Sequence, residues 1–188
     1  MKKFSVRGKL NLKAKNRLEG LRTYLAGPMD RVADGGVGWR IMLSQYLNAR
    51  DVVILDPCNK PTDMGVEDLE NRQQRRDWKA QGEYDKAAKC MKVIRATDLR
   101  MVDISDFLIV NLDIEASPCG TYEELFLANR QKKPILLRVK QGKQEVPDWL
   151  LGVIPHETIF STWDEVKEYL EYVSTSDDLL DRWVFFNF

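Results

Sequence analysis

The segment Phe107-Leu108-Ile109-Val110-Asn111-Leu112 decides the fold class of this chain. It is apolar at nearly every position rather than at alternate ones, which is typical of a strand that is buried on both faces of a sheet. Shorter apolar runs recur along the sequence, and stretches with helical spacing separate them. Alternating strands and helices favour a parallel sheet with helices on both faces, so we predict a three-layer α/β domain.

The remaining elements follow from the same patterns. We predict strands at 21–26, 52–55, 107–112, 134–139 and 157–160. We predict helices at 39–47, 122–129 and 163–173, and two more within 67–101 that separate at Gly82. No linker rich in Pro, Gly or Ser divides the chain, so we predict a single domain over residues 1–188, of which 1–20 form a basic N-terminal extension.

The composition argues against several classes of function. The 188 residues include 29 Lys and Arg and 29 Asp and Glu, and this zero net charge argues against a nucleic-acid partner held by a basic field. One histidine, His156, cannot build a multi-histidine zinc site. Three cysteines without a C-x-x-C motif indicate neither a zinc ribbon nor a disulfide framework, so we expect no metal and a reducing, cytoplasmic setting. No apolar run approaches the roughly 20 residues of a membrane-spanning helix, so no membrane partner is expected.

Two loops are the candidate ligand sites, because parallel sheets bind ligands beyond the carboxyl ends of their strands. The loop after the first strand contains Gly27-Pro28-Met29-Asp30 and then a glycine-rich turn at 34–38. Glycines let the backbone approach a ligand closely and can present amide groups to an anion. A glycine-rich surface loop without a ligand explains the same residues equally well.

The loop after the third strand runs from Asn111 to Glu124 and permits two interpretations. In the structural one, Thr121-x-x-Glu124 is a capping box that satisfies free amides at the start of a helix. In the functional one, Glu124 lies in the first helical turn, where the positive end of the helix lowers its pKa and keeps the carboxylate ionised. A fixed, ionised carboxylate at this edge of the sheet can act as a covalent nucleophile.

Several short motifs occur together in and around these loops. They are Tyr24-Leu25-Ala26-Gly27-Pro28, Asp98-Leu99, Ser105-Asp106, Gly120-Thr121-x-x-Glu124, Ala128 and Lys133-Pro134. In their order and spacing they resemble the nucleoside 2-deoxyribosyltransferase family, over residues 21–137. The resemblance implies an α/β, flavodoxin-like fold with three layers and a mostly parallel five-stranded sheet. It also implies exchange of the base on a 2′-deoxyribose without a metal or an organic cofactor.

The resemblance implies catalytic roles for three side chains. Glu124 matches the family's nucleophile, which attacks the anomeric carbon and forms a covalent deoxyribosyl-enzyme. Asp98 matches a carboxylate that contacts the base and helps to protonate it as it leaves. Tyr24 matches a tyrosine on the first strand that holds the nucleophile in place. The pair of carboxylates follows the logic of retaining glycosidases, applied to an N-glycosidic bond.

Two of these assignments have plain structural alternatives. Asp98 could equally cap a short helix or pair with Arg95, and Tyr24 could be a strand residue with its hydroxyl at the surface. One unbroken helix over 83–101 would carry Asp98 towards the wrong end of the sheet. We therefore expect the chain to break near Ala96-Thr97.

The substrate contacts leave one choice open. The residues placed there are Gly27, Pro28, Met29, Arg40, Asp113, Ser117, Gly120 and Thr121. The family's transferases carry an aspartate six residues before the nucleophile, where this chain has Pro118, and relatives that hydrolyse deoxynucleoside 5′-monophosphates carry a serine there. Ser117 lies beside that position, and Arg40 and the glycine-rich turn are candidate phosphate contacts. The 5′ group of the substrate is thus either a hydroxyl or a phosphate.

The expected function is cleavage of the N-glycosidic bond of 2′-deoxynucleosides, followed by transfer of the sugar to another free nucleobase. Two alternatives stay open. One is an N-glycosidase that hydrolyses a 2′-deoxynucleoside 5′-monophosphate, and the other is a non-catalytic nucleotide-binding or sensing module. The resemblance also implies a homo-oligomer.

Overall fold

The sheet contains five strands, all parallel. The computed structural model describes residues 16–30, 32–60, 62–63, 65–116, 118–176 and 182–183. The strands are β1 (Arg22–Ala26), β2 (Val53–Leu55), β3 (Phe107–Leu112), β4 (Ile135–Val139) and β5 (Ile159–Phe160), and they lie in the order β2-β1-β3-β4-β5. Every neighbouring pair is parallel. This is the flavodoxin-like strand order, which confirms the predicted fold class.

Helices connect the strands. They are α1 (Val37–Asn48), α2 (Leu69–Ala80), α3 (Tyr84–Ile104), α4 (Cys119–Arg130), α5 (Asp148–Leu151) and α6 (Trp163–Thr175), with short 3₁₀ turns at Lys143–Glu145 and His156–Thr158. The predicted helices are all present, and α2 and α3 separate around Gly82, whose φ of 76° suits glycine. Helix α5 was not predicted, because four residues are too few to show an amphipathic repeat.

Strand β3 is apolar at every position except Asn111 because both of its faces are covered. All six of its residues are buried. Phe107 and Ile109 pack in the core beneath α1 and α6, whereas Leu108, Val110 and Leu112 pack against α3 and α4 on the opposite face. Successive side chains of a strand point to opposite faces, so a central strand of a three-layer domain is apolar at nearly every position.

Two predicted helix boundaries are wrong. Helix α3 is unbroken over its 21 residues, so the expected break near Ala96-Thr97 is absent. Helix α4 begins at Cys119 rather than at residue 122, and no side chain caps its first turn. The capping-box interpretation of Thr121 and Glu124 is therefore wrong, because both residues already lie inside the helix.

The last residues of the predicted N-terminal extension pack on the domain. Leu18 is buried beside α1 and α6, and the Asn16 side chain donates a hydrogen bond to the Arg50 carbonyl at 2.8 Å. The first 15 residues of the extension lie outside the described residues. Near the other terminus, the Trp183 ring packs on Phe107 with ring centroids 5.3 Å apart. In the part of the chain that the structure describes, no helix is long and apolar enough to cross a membrane.

Candidate active site

Tyr24 and Glu124 form the centre of the site. Tyr24 is the third residue of β1, where it pairs in register with Leu55 and Leu108, and its side chain is fully buried. Its hydroxyl donates a hydrogen bond of 2.7 Å to Glu124 Oε1. Burial raises the pKa of Tyr24 well above its usual value, and the nearby charges of Glu124 and Asp98 raise it further. Tyr24 therefore remains a proton donor, and its hydroxyl is not at the surface.

Glu124 has a raised pKa, which corrects the prediction of a lowered one. It is the sixth residue of α4, beyond the first turn to which the positive end of a helix is effective. The residue keeps part of its surface open but its carboxyl group lies deep among protein atoms. That burial raises its pKa to about 8, the charge of Asp98 adds to the rise, and the hydrogen bond from Tyr24 opposes it.

Asp98 belongs to a buried group of charges. Lys60 Nζ lies 2.8 Å from Asp98 Oδ1 and 3.2 Å from Glu67 Oε1, and it also donates to the Gly65 carbonyl at 2.6 Å. Burial raises the pKa of Asp98 to about 6; the Lys60 ammonium lowers it and Glu67 raises it. Asp98 thus neither caps a helix nor pairs with Arg95, which instead donates to Glu123 Oε2 at 2.8 Å.

The depth of the site explains how Asp98 reaches it from an unbroken helix. Tyr24 lies in the middle of β1 and Glu124 lies in the second turn of α4, so the site extends below the edge of the sheet. Helix α3 packs against β1 and α4 on this face. Asp98, six residues before the end of α3, consequently lines the same cavity as Glu124.

A cavity of about 570 Å³ connects these groups. Its wall contains most of the residues that were predicted to contact substrate. They are Gly27, Pro28 and Met29 from the loop after β1, and Gly120 and Thr121 from α4, together with Asp98 and Glu124. Apolar side chains from α3 complete another part of the wall: Met91, Ile94 and Leu99. The volume is in the range of small-molecule sites.

Arg40 lies behind the first loop rather than in the cavity wall. Its side chain is fully buried, and its guanidinium donates to the carbonyls of Leu25, Gly36 and Gly27 at 3.1, 2.8 and 3.0 Å. Its Nε also lies 3.5 Å from Asp56 Oδ1. These contacts occupy the donors that a phosphate would need, so Arg40 holds the backbone of the loop.

Backbone amides of the glycine-rich turn also already have a partner within the chain. Asp34 accepts hydrogen bonds of 2.9 Å from the backbone amides of both Gly36 and Gly38. These bonds lower the pKa of Asp34. Two of the amides that the sequence offered to an anion therefore already bind a carboxylate of the chain itself.

Asp113 lines a second cavity, of about 510 Å³, which adjoins Pro28 and Ala116. It accepts hydrogen bonds of 2.7 Å from both Lys140 and Gln141. Burial acts to raise its pKa, but these two donors outweigh that effect and the pKa is lowered. Ser117, the other predicted contact from this loop, lies outside the described residues. Among the residues described, no group of three or more His, Cys, Asp or Glu side chains is arranged to hold a metal ion.

Sequence reasoning missed Lys60, Glu67 and the arginines of α2. Lys60 and Glu67 sit in a charged stretch where no pattern distinguishes a buried ion pair from a solvated one. The sequence does carry a signal for the basic face of α2, because Arg72, Arg75, Arg76 and Lys79 recur at the spacing of one helical face.

Comparison with solved structures bears on the fold. No protein-family model and no curated protein matches the sequence. A 2-deoxyribosyltransferase from Bacillus psychrosaccharolyticus superposes with a TM-score of 0.53 at 16% identity, over 79% of this chain and 91% of that one. A 2-desoxiribosyltransferase from Leishmania mexicana gives a TM-score of 0.53 at 18% identity, over 81% of this chain and 98% of that one. This chain has the fold of the 2-deoxyribosyltransferases. The resemblance drawn from the sequence motifs is thereby confirmed at the level of the fold.

Proposed function

We propose that the protein is a deoxyribosyl-transferring enzyme. It cleaves the N-glycosidic bond of a 2′-deoxynucleoside through a covalent intermediate on Glu124 and passes the sugar to another free nucleobase. The observation that carries the proposal is the 2.7 Å hydrogen bond from Tyr24 to Glu124 Oε1, in a cavity that Asp98 also lines. The fold shared with two 2-deoxyribosyltransferases supports it.

In the first step Glu124 displaces the base. Tyr24 occupies Oε1, so Oε2 is the oxygen left to attack the anomeric carbon of the sugar. As the C–O bond forms, the C–N bond breaks and its electron pair goes to the base nitrogen. Asp98 in its protonated form donates a proton to the leaving base, which then departs neutral.

In the second step a nitrogen of another free base attacks the same carbon. The ester bond to Glu124 breaks, its electron pair returns to the carboxylate, and the proton of the incoming base passes to Asp98. Both carboxyl groups therefore end the cycle in their starting states. Every proton and electron pair is supplied by side chains of this chain or by the two bases.

The two carboxyl groups are poised for opposite roles. The pKa of Glu124 is raised to about 8 and that of Asp98 to about 6, so near neutral pH the pair holds a single proton. The reactive arrangement places that proton on Asp98 and leaves Glu124 ionised. Tyr24 stabilises this arrangement, because its hydrogen bond favours the charged form of Glu124.

A direct test is base exchange. The protein is incubated with a 2′-deoxynucleoside and a different free base, and the new nucleoside is quantified by chromatography. We expect exchange in the wild type and a loss on the order of 10⁴-fold or more in Glu124→Gln and Glu124→Ala, since removing a nucleophile leaves only binding effects. Glu168→Gln, which changes an exposed glutamate of α6, is the matched control and should exchange at the wild-type rate.

The outcomes separate the alternatives. Release of free base without exchange, and only from a 5′-monophosphate, would indicate the N-glycosidase. Thermal stabilisation by nucleotides without any turnover would indicate a binding or sensing module and would overturn the proposed function. Full turnover in Glu124→Ala would overturn the mechanism. The expected homo-oligomer remains a prediction, which sedimentation equilibrium tests.

A further inference from the structure

Helix α2 presents arginines, rather than apolar residues, to the protein. Arg72, Arg75, Arg76 and Lys79 follow the i, i+3, i+4, i+7 spacing of one helical face, and all four line the cavity that contains Glu124. The buried residues of α2 are Arg72 and Arg75. A helix of a globular domain normally buries apolar side chains, so this face requires a specific reason.

Arg72 has a structural role. Its guanidinium donates to the Met29 carbonyl at 2.9 Å and to the Glu67 carbonyl at 2.9 Å. It thereby ties α2 to the loop after β1. Within the described residues, Arg75, Arg76 and Lys79 form no comparable hydrogen bonds.

Arg75 is buried and unsatisfied. It is 5% exposed, and neither of its terminal nitrogens has a hydrogen-bond partner among the described residues. The nearest carboxylate oxygens, on Glu67 and Asp30, lie 3.8 and 4.0 Å from its Nη2, which is too far for a hydrogen bond. Buried guanidinium groups are almost always hydrogen-bonded, so this one is arranged for a group that enters the cavity.

Arg76 and Lys79 extend the same charge towards solvent. Both are exposed, and within the described ranges neither forms an ion pair. Together with Arg75 they span about 6 Å of helix, at 1.5 Å per residue. The three side chains make one continuous cationic wall.

The carboxylates of the cavity neutralise this wall only in part. Glu67 and Asp98 share Lys60, and Glu123 pairs with Arg95. Glu67 and Asp30 approach Arg75 at 3.8 and 4.0 Å, without a hydrogen bond, and within the described residues no carboxylate pairs with Arg76 or Lys79. Glu124 carries a proton over much of the neutral range. An anionic ligand in the cavity would therefore supply the hydrogen bonds that Arg75 lacks and balance the charges of Arg76 and Lys79.

We propose that Arg75, Arg76 and Lys79 bind the phosphate of a 5′-phosphorylated 2′-deoxynucleotide, whose sugar lies against Glu124. The proposal rests on the proposed function and names its substrate class. The planar guanidinium of Arg75 offers paired N–H donors that match two phosphate oxygens. The wall faces a cavity of about 570 Å³ that also contains Glu124 and Asp98, so the phosphate and the reacting carbon belong to one small molecule.

Binding is measured by calorimetry in a Glu124→Gln background, which prevents turnover. The probes are thymidine, deoxyadenosine, their 5′-mono-, di- and triphosphates, and inorganic phosphate and pyrophosphate. The test variant adds Arg76→Gln and Lys79→Gln, both at exposed positions. The matched control adds Lys92→Gln and Arg100→Gln, which remove two exposed charges of α3 that lie outside the cavity wall.

We expect a phosphorylated nucleoside to bind roughly tenfold or more tightly than its unphosphorylated form, consistent with charge-assisted hydrogen bonds. The test variant should lose this preference while keeping its affinity for the nucleoside, and the control variant should keep both. A second variant adds Arg75→Lys instead, which retains the positive charge but removes the paired N–H donors of the guanidinium. It should also reduce the preference for the phosphorylated nucleoside.

Three results would overturn the inference: equal affinity for nucleoside and nucleotide, a preference that survives in the test variant, or inorganic anions binding as tightly as the nucleotides. Assays of base release by the wild-type protein separate this inference from the proposed function. Turnover of nucleosides with no phosphate preference would remove the phosphate site alone. Tight, α2-dependent nucleotide binding with no base release from any probe would overturn the proposed function instead.

Discussion

Glu124 and Asp98 share one proton around neutral pH, and the proposed chemistry depends on where that proton resides. Burial raises the pKa of Glu124 to about 8 and that of Asp98 to about 6. Because the groups interact, the titration steps belong to the pair rather than to either residue alone. The form with Asp98 protonated and Glu124 ionised has the same proton count as its opposite, so both occur in the same pH range.

This sharing predicts a bell-shaped dependence of kcat/KM on pH. Below about pH 6 both groups are protonated and Glu124 cannot attack; above about pH 8 both are ionised and no proton is available for the leaving base. Activity should therefore rise through about pH 6 and fall above about pH 8. Asp98→Asn should be slower and should lose the alkaline limb. A profile that rises to a plateau and stays there in the wild type would contradict Asp98 as the acid.

Tyr24 should act through the ionised form of Glu124. Tyr24→Phe removes the 2.7 Å hydrogen bond while keeping the ring, so we expect kcat to fall roughly 10- to 100-fold, the range for a hydrogen bond to a charged group. The alkaline limb of the pH profile should also move to higher pH, because Glu124, whose pKa of about 8 sets that limb, loses a donor that lowers its pKa. Tyr84→Phe, at an exposed position of α3, is the control. An unchanged limb in Tyr24→Phe would assign Tyr24 a packing role only.

At the scale of single residues, the sequence motifs identified the groups of the site but not their environment. Glu124 and Asp98 line one cavity, and Tyr24 is hydrogen-bonded to Glu124. The predicted pKa shift of Glu124 had the wrong sign, because it assumed a position in the first turn of α4. Arg40 was assigned to substrate because a charged side chain in a sequence carries no indication that it is fully buried. The partners of Asp98, Lys60 and Glu67, come from a segment whose path depends on tertiary contacts.

At the scale of elements, the loop after β1 is held from behind by Arg40 and by a tight turn at Gly36. Gly36 has a φ of 77°, and a Cβ there would lie 2.4 Å from the Pro28 carbonyl oxygen and 2.5 Å from Arg40 Nη1. Gly82, between α2 and α3, has a similar φ of 76° but open space around it. An alanine at Gly82 would therefore introduce backbone strain alone, whereas an alanine at Gly36 would introduce the same strain together with steric overlap.

Gly36→Ala should cost far more stability than Gly82→Ala. Gly82→Ala should lower the free energy of unfolding by about 1 kcal/mol, from the left-handed backbone alone. Gly36→Ala should lower it by roughly 3 kcal/mol or more and should also reduce kcat/KM, because Pro28 and Arg40 must move. Urea denaturation and the exchange assay measure the two effects. Equal losses in the two variants would show that the close approach at Gly36 is not a constraint.

Whether an element can be predicted from the sequence depends on its length and on its surroundings in the fold. Strands and helices with a full repeat, such as β3 and α6, are predictable because their burial imposes the pattern. Helix α5 and the true start of α4 are not predictable. The four residues of α5 are too few to show a helical repeat, and Pro118 provides no side-chain cap that would mark the start of α4. The unbroken α3 was missed for a different reason. A sequence shows which loops lie at the edge of a sheet, but not how far below that edge a cavity extends.

At the scale of the whole molecule, burying the Glu124 carboxyl group lowers stability, a loss that the proposed function requires. Its pKa of about 8 lies above the ordinary 4.5, so the folded state holds the proton that the unfolded state releases. Stability is full below about pH 4.5 and falls as the pH rises towards 8, by roughly 3–5 kcal/mol. The neutral amide of Glu124→Gln does not ionise and escapes this loss.

Glu124→Gln should therefore be more thermostable than the wild type at pH 8. The difference in Tm should be about 5 °C or more at pH 8 and should vanish near pH 5, where Glu124 is protonated. Differential scanning calorimetry at the two pH values measures it. Glu168→Gln should show no such pH-dependent gap. Equal melting temperatures of Glu124→Gln and wild type at pH 8 would contradict a raised pKa for Glu124.

The most direct test of the proposed mechanism is the detection of the covalent intermediate. The protein is mixed with a 2′-deoxynucleoside, quenched rapidly with acid and examined by intact-mass and peptide-mapping mass spectrometry. We expect a fraction of the chain to gain the mass of one deoxyribosyl group, located on Glu124 and not on the adjacent Glu123, and to lose it when a free base is added before the quench. Base exchange by a protein that never carries this adduct, or an adduct that persists in Glu124→Gln, would contradict the assignment of Glu124 as the nucleophile.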